Sequence, residues 1–258
     1  MAPKKQWLLS AISLLVCACA AKAPYPELGL QRAILPGLDT LKEDEIRAAL
    51  EHPIEVEPPA TAGVAWLNEA PGGWRGDWYE TPLTEYQRTG VINATLAVLR
   101  QPPFSEVTSL PTVATGSRGG GEADLLMSLR SAAARFQDEI AILMQTGTAE
   151  SRGFNVFALG FIGLVTAPLF PGVDLAVASS AELCAVDVRS GVMIACTRGR
   201  SEERRNYLFL FQESRVRDQL TENTVRAAAV AAAQDLVPAV ARRLQGAGRF
   251  DPRFPPLA

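Results

Sequence analysis

One histidine, His52, supplies all the imidazole in 258 residues. Zinc sites and Ser-His catalysis are left almost without material. Cysteine is as scarce. Of four, Cys17 and Cys19 fall within the first twenty residues, which leaves Cys184 and Cys196 for the body of the chain. The nucleophile-elbow pattern Gly-x-Ser-x-Gly does not occur, nor do the phosphate-binding Gly-Lys-Ser/Thr and Gly-x-Gly-x-x-Gly patterns. Basic charge is not in excess either: 25 Lys and Arg against 28 Asp and Glu leave a net charge of −3. Nucleic-acid binding relies on a basic surface, so that class of partner has no electrostatic support. The run Gly119-Gly120-Gly121 invites a phosphate, but Glu122 and Asp124 follow it. Their charges oppose an anion at the helix terminus that would bind one. No nucleotide, cofactor or metal is expected, and no catalytic residue is assigned. An enzyme would require carboxylates such as Glu150, Asp174 and Asp187 to converge in a cleft.

What is present begins with an export signal. Lys4 and Lys5 precede the apolar run Trp7 to Val16, too short to span a bilayer but of the length of a signal-peptide core. Val16-Cys17-Ala18-Cys19 then resembles the lipobox of bacterial lipoproteins, with Cys17 an unusual residue at its second position. That resemblance implies cleavage before Cys19, its lipidation, and a membrane anchor through several acyl chains. Ala20 in the next position implies the outer membrane, with the domain on its periplasmic face. The alternative is ordinary cleavage after Ala21-Lys22-Ala23, which would leave a soluble periplasmic protein.

The reading divides the chain into a signal peptide over 1–18, a tether with a short helix over 19–60, a globular domain over 61–245 and a disordered tail over 246–258. Hydrophobic content of 48% and charged content of 21% are ordinary globular values. Thr40-Leu41-Lys42-Glu43 is a capping-box pattern that predicts a short helix to about Glu51. A first buried strand is predicted around Gly63 to Leu67, followed by a Gly- and Trp-containing loop, Ala70 to Glu80. Thr81-Pro82 predicts the start of a helix that Pro102-Pro103 ends. A second strand from Phe104, a helix over about 122–136 with a core-facing stripe, and a strand Ile140 to Met144 follow. The order β-α-β-α-β predicts an α/β fold, with α+β as the alternative, on a mixed sheet of five or six strands.

Residues 155–172, NVFALGFIGLVTAPLFPG, carry no charge. They read as a long buried strand and loop, or as a hairpin that enters a membrane or a partner. Arg189-Ser190-Gly191 has the form of a hairpin loop with Gly at the left-handed position. It pairs Val188 with Val192, Val186 with Ile194, and Cys184 with Cys196, all six on one face, with Asp187 and Met193 on the other. The two cysteines could then form a disulfide or pack as reduced thiols. Arg198 to Arg205 reads as a charge-rich loop. A long helix kinked at Pro238 and stopped by Gly246 closes the domain. Trp74, Trp78 and Tyr79 in the Gly-rich loop are the candidate partner-binding residues, unless they fold back on the core.

The strand GVAWLNEA at 63–70, the segment RSAAARFQDEIAILMQT at 130–146, the stretch ending LVTAPLFPG and the hairpin LCAVDVRSGVMIACTRG resemble the rhombotarget-type bacterial lipoproteins. The order of elements is also similar to the curli secretion lipoprotein and the amino-terminal domain of the Tol propeller protein. These resemblances imply a non-enzymatic envelope lipoprotein that binds or assembles with another envelope protein. An oligomeric secretion lipoprotein that inserts its apolar segment is the alternative. Only Cys19, as the lipid site, carries a role over from them.

Overall fold

The computed structural model describes residues 25–34, 53–67, 74–75, 78–80, 83–110, 122–154, 173–207 and 213–247. In chain order the elements are α1 (Leu30–Ile34), β1 (Ala60–Trp66), β2 (Trp74–Arg75), β3 (Trp78–Glu80), α2 (Glu85–Leu99) and β4 (Phe104–Ser109). They continue with α3 (Glu122–Arg135), β5 (Ile140–Phe154), β6 (Val173–Asp187), β7 (Met193–Tyr207) and α4 (Glu213–Ala247).

One mixed sheet holds all the described strands. β1 lies between β4 and the first part of β5, parallel to both. β6 and β7 add antiparallel strands on the far edge of β5. Beyond the end of β1, the same edge of β5 is taken by β3, which forms a small hairpin with β2. The sheet thus has seven strands, two more than its β4-β1-β5-β6-β7 frame. The extra pair occupies the segment expected to be a loop. β1 connects outward to β4 through α2, and β4 connects back past β1 to β5 through α3. Crossovers of one hand that run in opposite directions place their helices on opposite faces.

The burial pattern agrees. Ala62, Val64 and Trp66 of β1 share one core with Ile140, Ile142 and Met144 of β5, Leu183 of β6, and helices α2 and α4. Ala65, Ala141, Leu143, Cys184 and Val186 face the other way, towards α1 and α3. Period-two alternation does not show as apolar-polar alternation here, because helices cover both faces.

Local sequence explains most of the boundaries. α2 starts at Glu85 behind the N-cap Thr84, not at Thr81-Pro82 as expected. Thr84 Oγ1 accepts from Gln87 N at 3.3 Å and Gln87 Oε1 accepts from Thr84 N at 2.9 Å, a reciprocal capping box. α3 ends with Gln137 at φ 62°. Gln137 N donates to Ala134 O and Asp138 N to Ala133 O, the paired bonds of a Schellman cap. α4 runs through Gly246 to Ala247 and passes Pro238 as an unbroken helix. Pro238 and Gln234, whose carbonyl loses its donor there, both lie at the exposed side.

Two further expectations change. Arg198 to Arg205 is strand, since β6 and β7 stay paired from Cys184↔Cys196 out to Val173↔Tyr207. The charges fit because β7 is an edge strand among the described residues, with Glu202–Arg204 and Glu203–Arg205 pairs along it. In the hairpin, Gly191 takes φ 74° as expected. A bulge between Ala185 and Val186, however, sets Val186 opposite Met193 and not Ile194. One extra residue reverses the faces beyond it. Met193 therefore joins the α3 side and Ile194 the α4 side. The helix expected over 40–51, segment 155–172 and the tail from 248 lie outside the described residues.

α4 and β7 meet at backbone contact. A Cβ on Gly199 would overlap Ala228 O and lie 2.7 Å from Ala232 N. Thr197 Oγ1 donates to Ala232 O at 2.7 Å beside it. The alanines Ala228, Ala229, Ala232 and Ala233 make this approach feasible. Gly199→Ala is expected to cost about 3 kcal/mol or more, because the obstruction is helix backbone and not a mobile side chain. Urea unfolding of the variant beside wild type checks this, and a change below about 1 kcal/mol would show that α4 can retreat.

Candidate functional site: the seat of the N-terminal segment

The outer half of the sheet, on the α1 side, is built of small residues. Gly147 and Ala149 of β5 lie across from Ser180 and Ala178 of β6, with Ala176 next along. The segment Tyr25–Ile34 lies over them, although the sequence places it in a tether. Tyr25 packs on Ala149, Ala176 and Ala178. A Cβ on Gly147 would come within 2.9 Å of Pro26 Cβ and 3.0 Å of Leu28 Cδ2, so only glycine leaves room for the segment. Ser180 Oγ donates to Pro26 O at 2.7 Å. Leu30 and Ile34 then enter the core beside Leu129, Leu143 and Cys184.

Charge fastens the seat as well. Glu182 and Arg198 are direct cross-strand partners. Arg198 NH2 lies 3.2 Å from Glu182 Oε2 and donates to Leu28 O at 3.0 Å. One guanidinium thus neutralises a buried carboxylate and holds the segment's backbone. The Arg200 guanidinium stands 5.2 Å from the centre of the Tyr25 ring, a cation–π distance.

Other buried carboxylates are held by structure. Asp187 is fully buried. It accepts from Glu55 N at 2.7 Å, Arg189 N at 2.8 Å and Ser190 N at 3.3 Å, and so staples the β6–β7 turn. Asp138 is buried beside Gly63 and accepts from Thr108 Oγ1 at 3.3 Å. Burial raises its pKa above 3.8, the Thr108 bond opposes this, and the nearby Glu106 charge adds to it.

Of the residues singled out in the sequence, Cys19 lies outside the described residues. Cys184 and Cys196 stand opposite each other, joined by an S–S bond of 2.05 Å. Trp74, Trp78 and Tyr79 sit on the β2–β3 hairpin, with Trp78 at the register position of Ser151 and Tyr79 at that of Glu150. Glu150, Asp174 and Asp187 do not converge. Asp174 and Asp187 sit near opposite ends of β6, roughly 40 Å apart along the strand. Among the described residues, no three His, Cys, Asp or Glu side chains group as metal ligands. The sequence reading missed the seat itself. Its available signals were the Leu30/Ile34 spacing and the small residues alternating along 147–149 and 176–180.

These features define a three-layer α/β domain with a mixed sheet and its own N-terminal segment bound across one face. No family model and no curated protein sequence matches the chain. Among solved structures, it is similar to lipoprotein GNA1162 from Neisseria meningitidis, at 15% identity and a TM-score of 0.33, over 64% of this chain and 97% of that one. It is also similar to the PelC dodecamer from Paraburkholderia phytofirmans, at 13% identity and a TM-score of 0.31, over 74% and 94% of the two chains. No described helix is long and apolar enough to cross a membrane.

Two variants test the buried charges. Arg198→Ala leaves Glu182 buried without its partner and is expected to cost about 3 kcal/mol or more. Adding Glu182→Gln should recover at least half of that loss in urea unfolding, whereas additive losses would mean the pair is not coupled. For Asp138 the folded pKa is the raised one, so its stabilising share is full at acid pH and fades as pH rises through that value. Asp138→Asn should therefore match wild type below about pH 3.8 and exceed it in Tm at pH 7. An equal gap at both pH values would contradict the shift.

Proposed function

We propose that this chain is a lipid-anchored protein of the bacterial envelope, held through Cys19 at the periplasmic face of the outer membrane, with a binding or assembly role and no catalytic one. The carrying observation is the export signal that ends at Cys19, with the docked segment starting only six residues later at Tyr25. A short lead from a lipid to a tightly seated segment suits a domain held at a membrane surface. Asp174 and Asp187 lie near opposite ends of β6, so the trio with Glu150 does not meet in one cleft, which supports the non-enzymatic part. The partner suggested by this reading is another envelope protein.

Intact mass and membrane fractionation of the native protein, beside Cys19→Ala, test the anchor. A mass that fits cleavage before Cys19 plus acyl chains, lost in the variant, is the expected result. A soluble, unmodified product cleaved near Ala23 would overturn it.

A further inference from the structure

The N-terminal segment is held in two unequal parts. Leu30 and Ile34 are buried in the core beside Leu129, Leu143 and Cys184. Tyr25, Pro26 and Leu28 are only half-buried, and Glu27 and Gly29 are exposed. The first bond of α1 runs from Ala33 N to Gly29 O, so the helix ends there. What precedes Gly29 is a strap laid on the sheet. A Cβ on Gly29 would meet nothing within 4 Å, so the joint itself is not packed. Lifting the strap leaves Leu30 and Ile34 in place.

The trough beneath the strap is poor in hydrocarbon. Its floor is Gly147, Ala149 and Ala178. Such small side chains expose little apolar area when uncovered, so an open trough carries a low hydrophobic cost. Opening also strands no buried charge, because Glu182 keeps its ion pair with Arg198.

The polar groups of the trough address main chain. Ser180 Oγ donates to Pro26 O at 2.7 Å, and Arg198 NH2 donates to Leu28 O at 3.0 Å. Any extended peptide presents carbonyls of this kind, and specificity then comes from the side chains between them. Two positions of the strap are read in that way. The Tyr25 ring lies on Ala149 and Ala178 and stands 5.2 Å from the Arg200 guanidinium, which favours an aromatic residue. Leu28 lies close over Gly147, where an aliphatic side chain fits. Glu27 between them faces solvent.

We propose that this trough is a peptide-binding groove, closed in the free protein by its own strap Tyr25–Leu28. Its ligand is an extended segment of another protein, with an aromatic residue three positions before an aliphatic one. The strap is an internal competitor that carries the same chemistry on a tether. A tethered segment acts at an effective concentration on the order of millimolar, so a ligand needs either abundance or additional contacts to displace it. The groove gives the binding role proposed above its surface, and it rests on that reading.

The test uses the full mature protein and a fluorescently labelled, end-blocked peptide that copies residues 25–29, with binding followed by anisotropy. Tyr25→Ser/Leu28→Ser loosens the strap and leaves Leu30 and Ile34 in the core. The peptide is expected to bind this variant at least about tenfold more tightly than wild type, because the competitor is weakened. Adding Gly147→Val, which fills the trough, should abolish that binding, with thermal unfolding as the check that the fold survives. Arg200→Gln, at an exposed position, should weaken the peptide about threefold. The same change should leave unaltered the binding of a peptide with serine in place of its tyrosine. Equal affinity for wild type and loosened variant, or binding to neither, overturns the groove and leaves the lipid anchor intact. Binding that survives both Gly147→Val and Arg200→Gln places the peptide elsewhere and overturns it as well. A wild-type dimer in light scattering that the peptide dissociates assigns the groove to a second copy and overturns the outside partner.

Discussion

β5 is shared by more neighbours than any other strand, and the domain is organised by how they divide it. Its first residues have β1 on one side and β6 on the other, in a part of the sheet with helices on both faces. β1 ends at Trp66, and β3 then takes up the same edge of β5. Backbone N–H and C=O groups left unpaired in a covered sheet are costly, so an edge vacated by one strand calls for another. The fifteen-residue length of β5, β6 and β7 follows from the same pairing. Each strand is kept extended by the ladder of its neighbour, even where its own composition is polar.

Close approach is the second constraint, and it acts on both faces. On one, Gly199 admits the α4 backbone; on the other, Gly147 admits Pro26 and Leu28. Small residues lose little side-chain entropy on burial and let main chains touch. Polar groups trapped in these contacts find partners at once. Thr197 bonds to α4, while Ser180 and Arg198 bond to the N-terminal segment. The N-terminal segment Tyr25–Ile34 is in this way part of the fold.

Much of the fold was legible in the residues. The β-α-β-α-β order, the turn at Gly191, the pairing of Cys184 with Cys196 and the long last helix all follow from patterns within about twenty residues of chain. Errors arose where local signals tied. Thr81-Pro82 and Thr84 both qualify as helix starts, and the reciprocal bonds with Gln87 favour the second. Arg198 to Arg205 reads as loop because an exposed edge strand has the composition of one. The bulge near Val186 has no local marker, yet it moves Met193 and Ile194 to opposite faces.

The candidate site divides along the same line. The sequence by itself determined the lipobox-like pattern around Cys19, the lack of the catalytic and phosphate-binding motifs sought, and the alternation that makes an α/β core. Those properties depend on residue type and on spacing along the chain, and no distant contact can alter them. Only the tertiary structure decided that Tyr25–Ile34 lies in a seat across β5 and β6. It also decided that Glu182 is buried against Arg198, and that Trp78 and Tyr79 stand beside the outer end of β5. Each of those facts depends on register between segments far apart in sequence, and register is set by the packing of whole faces, which no single segment carries.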